Sequence, residues 1–254
     1  MARRHRSASY RFAAGVLRPP VMVLTRRDWR GAEHLPADTG FVACVNHISY
    51  LDPLSVAHFL HDNGCPPRFL AKESVFRIPV GGGILRGAGQ IPVRRETAEA
   101  GRALDAAVQA VEDGECVVVY PEATLTRDPG LWPMVGKTGA ARIALTTGCP
   151  VVPIAQWGVQ EILGPYARRP RPFPRRTMHV HAGPPVDLGE LRDRPLDTAT
   201  LRAATDLILG AVTILLEGIR GEQAPDRRWN PRQHGQSVIG NPRRSRPGQQ
   251  GEPG

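Results

Sequence analysis

Val45-Asn46-His47-Ile48-Ser49-Tyr50-Leu51-Asp52-Pro53 sets a polar centre between two apolar segments of different periodicity. Upstream of its polar centre, Gly40 to Val45 is small, apolar or β-branched, the composition of a buried strand. Downstream, Pro53-Leu54-Ser55-Val56-Ala57-His58-Phe59-Leu60 carries apolar residues at helical spacing. The residues between are therefore a strand-to-helix turn. Asp52 before Pro53 is a strong helix start, because Asp accepts the free N–H groups of a first turn and Pro suits the first helical position. An ionised carboxylate has about four lone-pair sites, so it can cap a helix and still accept an N–H from an imidazole. Positions five apart on one helix point well away from each other. His47 must then lie in the turn, folded back toward Asp52. In such a pair the Asp fixes the tautomer and orientation of the His, whose ordinary pKa of about 6.5 suits a general base near neutrality. The bland alternative is a hydrogen-bonded histidine at a strand end beside an aspartate that only caps.

Working outward, the pattern alternates. A short strand is expected around Leu24 to Trp29, then the strand, turn and helix above, the helix ending near Asn63-Gly64. Arg68 to Lys72 reads as a strand. Val80-Gly81-Gly82-Gly83-Ile84-Leu85-Arg86-Gly87 lacks both the Gly-x-Gly-x-x-Gly and the Gly-Lys-Ser/Thr signatures of nucleotide loops and reads as close helix packing. Glu96 to Asp113 has Ala103, Leu104, Ala107, Val108 and Val111 on one helical face, with Gly114 as its stop. Cys116 to Tyr120 is a buried strand, Met134 to Thr147 contains a helix, and Cys149 to Ala155 is an apolar strand. Arg175 to Ala182 is another strand, and Thr198 to Arg220 a closing helix. Strands alternating with helices predict an α/β domain whose mixed, largely parallel sheet is covered by helices.

The formal charge of +9 in 254 residues is carried almost entirely by arginine, Lys72 and Lys137 being the only lysines. An anionic partner follows: nucleic acid, acidic lipid or a phosphorylated substrate. Nucleic acid is disfavoured, since there is no zinc-finger spacing, basic heptad helix or aromatic RNA-binding signature. Cys44, Cys65, Cys116 and Cys149 are widely spaced in or beside apolar stretches and read as buried thiols of a cytosolic protein. No uninterrupted apolar run approaches the ~20 residues of a bilayer span. Ser9 to Leu24 mixes Tyr10, Phe12, Val16, Leu17, Val21, Met22 and Val23 with arginines and Pro19-Pro20, the composition of an amphipathic helical element at a membrane interface. The alternative there is a core-packing helix with a solvated basic face.

The Asn-His-x-Ser-x-x-Asp-Pro pattern at 46–53 resembles the first motif of the glycerophospholipid acyltransferase family, which includes the bacterial lysophosphatidic acid acyltransferases. Three further stretches follow in that family's order, and together with the first they span about residues 40 to 158. Gly89-Gln90-Ile91-Pro92-Val93-Arg94-Arg95 resembles the second motif, with Arg95 at the family's arginine position and Arg94 at a variable one. Pro121-Glu122-Ala123-Thr124-Leu125-Thr126-Arg127 stands at the third, usually Pro-Glu-Gly-Thr-Arg; the glycine is Ala123 and the arginine position holds Leu125. Cys149-Pro150-Val151-Val152-Pro153 stands at the fourth, and Ala71-Lys72 matches a dipeptide that precedes the second.

The resemblance implies transfer of a fatty acyl group from acyl-CoA or acyl carrier protein to the free hydroxyl of 1-acylglycerol 3-phosphate, giving phosphatidic acid, with no cofactor and no metal. It implies His47 as general base and Asp52 as its partner. Lys72, Arg94, Arg95, Glu122 and Thr124 become substrate-binding residues, with Lys72, Arg94 and Arg95 the candidates for the phosphate. Arg127 is a further candidate, because residues two apart in an extended segment share a side and it could project toward the pocket that the family's arginine would serve from position 125; the alternative is a solvated charge paired with Asp128. An acceptor other than the phosphate ester, or a silent lipid-binding module, is the competing function. The expected organisation is a membrane-interface element over 1–27, an acyltransferase domain over 28–221 and a disordered basic tail over 222–254. The protein is expected to sit peripherally on the cytoplasmic face of the membrane, bound to anionic lipid.

Overall fold

The computed structural model describes residues 7–93 and 99–237. A seven-stranded mixed sheet runs in the order β1-β7-β6-β2-β5-β3-β4, the strands being β1 (Thr25–Arg30), β2 (Phe41–Val45), β3 (Pro67–Lys72), β4 (Ile91–Val93), β5 (Cys116–Val119), β6 (Val151–Trp157) and β7 (Arg176–Ala182). The helices are α1 (Ala8–Leu24), α2 (Asp52–Asp62), α3 (Gly81–Gly87), α4 (Glu99–Glu112), α5 (Gly139–Thr147), α6 (Val159–Ile162), α7 (Gly189–Arg192) and α8 (Thr198–Arg220). β2 pairs in parallel with β5 and β6, and β3 with β5 and β4; β7 runs antiparallel to β6 and takes β1 in parallel at the edge.

The unbroken apolar run of β2 follows from burial on both faces. Phe41, Ala43 and Val45 point to one side, where Val56, Phe59 and Leu60 of α2 meet them. Val42 and Cys44 point to the other, against α4, α5 and α8 through Ala107, Ala141, Ala144 and Ile208. All four cysteines are buried thiols. α8 is long and apolar enough to cross a bilayer, yet it lays Leu201, Ala204, Ile208 and Val212 on the sheet as a core helix. Its Asp197 cap accepts the Thr200 N–H at 2.8 Å.

The glycine run does form a helix that packs closely. A Cβ on Gly82 would stand 2.0 Å from the Phe76 carbonyl oxygen, and one on Gly87 would meet the Ser9 side chain of α1. α1 runs unbroken through Pro19 and Pro20. Polar contacts hold it down: Ser7 Oγ donates to the Gly87 carbonyl at 2.6 Å, Tyr10 Oη lies 2.9 Å from His61 Nδ1, and Arg18 forks onto Asp62.

One expectation fails. The first part of the presumed disordered tail, residues 222–237, packs on the domain: Val135 N–H donates to the Trp229 carbonyl, Arg228 bonds Asp206, and Pro231 is buried at a 3-10 turn, Pro231–His234. Its polar composition hides a Trp229 ring stacked on His234 at 3.5 Å. The remainder of that tail lies outside the described residues.

Candidate active site

The C-terminal ends of β2, β5, β3 and β4 share one edge of the sheet, and the turn after β2 lies there. This is where open α/β sheets expose their loops to a ligand. Chain reversal into α2 places His47 in the turn and Asp52 at the first helical turn, with His47 Nδ1 2.7 Å from Asp52 Oδ2. The same Oδ2 accepts the N–H groups of Ile48 at 2.6 Å and Ser49 at 2.9 Å. Asp52 thus ties the turn before α2 together and orients the imidazole with one oxygen; it is the first residue of α2 and no side chain caps that helix start, so the expected cap is not formed. Asp52 is 0% exposed, whereas the His47 side chain is 17% exposed. Burial pushes the Asp52 carboxyl up from its ordinary range, with the imidazole and the two amides pulling against that. An oxygen receiving three N–H donors acts as an acceptor, so the shared proton belongs on His47 Nδ1. Nε2 is left as the nitrogen able to take a proton.

The supporting contacts come from far along the chain. Asn46 and the Gln156 of β6 exchange three hydrogen bonds of 2.8 to 3.1 Å, locking the strand end. Ser49 is fully buried and donates Oγ–H to the Leu163 carbonyl at 2.7 Å, which removes it as a nucleophile. Tyr120, at the end of β5, stacks on the His47 ring with centroids 4.2 Å apart. Burial, aided by the Asp52 charge, holds its phenol well above the ordinary value, so it stays neutral. The contribution of Tyr120 is not visible in the sequence; its place immediately before Pro121-Glu122 was the available signal.

Glu122 requires a correction. It is buried, and its two oxygens serve backbone amides: Oε1 accepts His47 N–H at 2.9 Å and Oε2 accepts Met134 N–H at 3.1 Å. It is a strut between the histidine turn and the loop after β5, where the sequence reading makes it a substrate-binding residue. Burial raises its pKa to about 8. Thr126 N–H adds a 2.7 Å bond to the His47 carbonyl. Ala123 sits at φ +58°, a left-handed conformation that costs an L-residue roughly 1–2 kcal/mol and that glycine adopts freely. Thr124 is half-buried beside it, and Leu125 is core at 2% exposed. Arg127 is buried as well, not a solvated loop charge, and Asp128 Oδ1 accepts the Gly130 and Trp132 N–H groups.

Lys72 is exposed at the C-terminal end of β3, on the same edge as His47. Arg94 and Arg95 lie outside the described residues. An apolar groove of about 180 Å³ opens between α1, α2 and α3, lined by Leu17, Val21, Leu54, Ala57, Phe69 and Leu85 among others. Phe69 stacks on Tyr120 with centroids 6.3 Å apart. The groove and the imidazole are therefore joined by an aromatic wall.

Residues 26–157 match the profile of the acyltransferase family. A chloroplastic 1-acyl-sn-glycerol-3-phosphate acyltransferase of Brassica napus is 35% identical over 140 residues, covering 54% of this chain and 39% of that protein. The Borreliella burgdorferi 1-acyl-sn-glycerol-3-phosphate acyltransferase is 26% identical over 171 residues, covering 67% of this chain and 65% of that one. The chain thus spans less than two thirds of either relative. The crystal structure of the 1-acyl-sn-glycerophosphate acyltransferase PlsC from Thermotoga maritima aligns with a TM-score of 0.65 at 23% identity, over 85% of this chain and 81% of that one. It shares this fold.

Proposed function

The chain belongs to the acyltransferase family, and from that premise we propose that it transfers a fatty acyl group from a thioester, on coenzyme A or acyl carrier protein, to the free hydroxyl of 1-acylglycerol 3-phosphate. The observation that carries this reading is the 2.7 Å His47–Asp52 pair, open to solvent on the histidine side and walled toward an apolar groove. The acceptor oxygen attacks the thioester carbonyl while His47 Nε2 takes its proton, and Asp52 steadies the imidazolium. Collapse of the tetrahedral intermediate expels the thiolate, which recovers the proton from His47. No acyl-enzyme is needed, in keeping with the buried, engaged Ser49.

The groove supports a lipid substrate, since it offers apolar walls beside the reacting centre. Lys72, with Arg94 and Arg95, is the proposed seat of the acceptor phosphate. The second reading is a lipid or glycolipid acceptor without a phosphate near its reacting end; the observation in its favour is Leu125, withdrawn into the core from the position where the family carries an arginine. We assign the protein to the cytoplasmic face of the membrane, held peripherally by α1. Phe12, Val16 and Val23 of that helix are 55 to 68% exposed, while its polar contacts face α2 and α3.

The test is thioester-dependent thiol release with each candidate acceptor. His47→Ala should abolish it in a folded protein. Lys72→Met should raise the acceptor KM for the phosphate ester without a matching change for the thioester; an unchanged KM would favour the phosphate-free acceptor. Absence of thiol release with every acceptor would leave a lipid-binding module.

A further inference from the structure

On the opposite half of the sheet, β1 and β7 pair in parallel with Asp28 beside His179 and Arg30 beside His181. His179 and His181 are two apart on one strand, so both rings stand on the same face, and Asp28 projects from the neighbouring strand to meet them. Asp28 Oδ2 lies 2.7 Å from His179 Nδ1 and 3.2 Å from His181 Nε2. The three atoms lie within 4.8 Å of one another. The side chains are 28%, 30% and 13% exposed, so water can reach the cluster.

We propose that Asp28, His179 and His181 form a binding site for a borderline divalent transition ion of the zinc class, fastening edge strand β1 to the sheet. Ligand atoms around a tetrahedral zinc, with bonds of about 2.0–2.1 Å, stand roughly 3.3 Å apart. The Asp28–His179 side must open by about 0.6 Å to reach that spacing, the Asp28–His181 side already stands at 3.2 Å, and the two imidazole nitrogens start within 4.8 Å of each other. The second oxygen of Asp28 is already engaged, accepting the Arg30 Nε–H at 3.2 Å. That bond orients the carboxylate to offer Oδ2 alone, the kind of outer contact that ligating carboxylates keep. Two imidazoles select zinc, copper or nickel over magnesium and calcium, which require oxygen cages. On binding, each imidazole gives up the proton on the nitrogen that faces Asp28, carrying its one remaining proton on the other ring nitrogen and releasing any excess to solvent, and water fills the fourth position.

The role follows from place. Among the described residues β1 pairs only with β7, and it continues directly from α1 at Leu24-Thr25. A bound ion would pin the strand that anchors the exposed helix, with β7 and β6 standing between it and β2 with its His47 turn. It takes no part in the transfer reaction.

The full chain, stripped with a chelator and dialysed, would be titrated with Zn(II) in competition with a chromogenic chelator, and its thermal unfolding followed with and without zinc. We expect one equivalent bound per chain and a raised Tm. His179→Asn and His181→Gln keep a hydrogen-bonding group near the Nδ1 and Nε2 positions while removing the ligating imidazoles. Each should weaken zinc at least tenfold, and the double variant should lose the thermal shift while keeping its metal-free Tm and its metal-free transferase activity. If the wild-type chain retains no zinc, or the double variant binds it as the wild type does, the cluster is a hydrogen-bonded clamp and the proposal fails.

Discussion

Replacing Asp52 by Asn separates the two tasks that one oxygen performs. Asn keeps one carbonyl acceptor, and its Oδ1 can take the Oδ2 position, accepting the same N–H groups from His47, Ile48 and Ser49. What disappears is the charge facing the imidazolium. With N and O 2.7 Å apart, the charge centres stand roughly 4 Å apart, worth about 4 kcal/mol at an effective dielectric of about 20. At about 1.36 kcal/mol per decade, kcat should fall about 10³-fold. Stability should move little. The new amide NH2 occupies the Oδ1 position, which makes no hydrogen bond and costs about 1–3 kcal/mol when a donor is left unmet. Relief of the buried charge, whose desolvation already pushes the carboxyl pKa upward, offsets it. The assay is single-turnover thioester consumption with acceptor in excess, alongside Tm. An Asp52→Asn enzyme that is folded and within threefold of wild-type kcat would refute the electrostatic role and leave Asp52 a tie for the His47 turn. A large drop in Tm would instead show that the turn geometry does not survive the exchange.

Three further outcomes are expected. Tyr120→Phe keeps the ring stack on His47 and removes a buried hydroxyl that has no hydrogen-bond partner; it should raise stability by about 1 kcal/mol with kcat unchanged, and a tenfold kcat loss would mean that the hydroxyl reaches the substrate. Ala123→Gly relieves the φ +58° backbone at the cost of some unfolded-chain entropy, so denaturant melts should show a gain of up to about 1 kcal/mol; a loss would show that the loop is not strained there. Sedimentation with vesicles should show the chain binding anionic lipid more than neutral lipid and losing it as salt rises. Deleting residues 1–24 should remove most of that binding, and salt-insensitive binding would point to purely apolar insertion.

What the sequence made legible is what local chemistry decides. The strands stand out because a sheet covered on both faces admits only apolar runs, and the first motif closes on itself because its partners are five residues apart. Glu122 was misassigned for the opposite reason. Its partners are the amides of His47 and Met134, 75 and 12 residues away, and no spacing rule reports that a carboxylate beside a motif is committed to backbone. Residues 222–237 show the same limit: composition counts polar groups without seeing that Arg228 has Asp206 and Trp229 has Val135.

The third motif shows what a departure from a family pattern means physically. In this loop the two changed positions are not equivalent. Position 123 demands a left-handed backbone, so alanine there strains the loop but leaves the strut from Glu122 to the His47 amide in place. Position 125 carries a side chain that is 2% exposed and whose carbonyl oxygen accepts the Tyr166 hydroxyl at 3.1 Å. An arginine at that point would bring a buried charge into the core unless the loop turned it outward. Leu125 is thus the residue this packing calls for, and Arg127, two positions on, is itself inside. With Leu125 and Arg127 both inside, the proposed seat of an acceptor phosphate is left to Lys72, exposed at the C-terminal end of β3 on the same edge of the sheet as His47. On that proposal, acceptor specificity is set at the β3–β4 edge of the sheet rather than by the motif that changed.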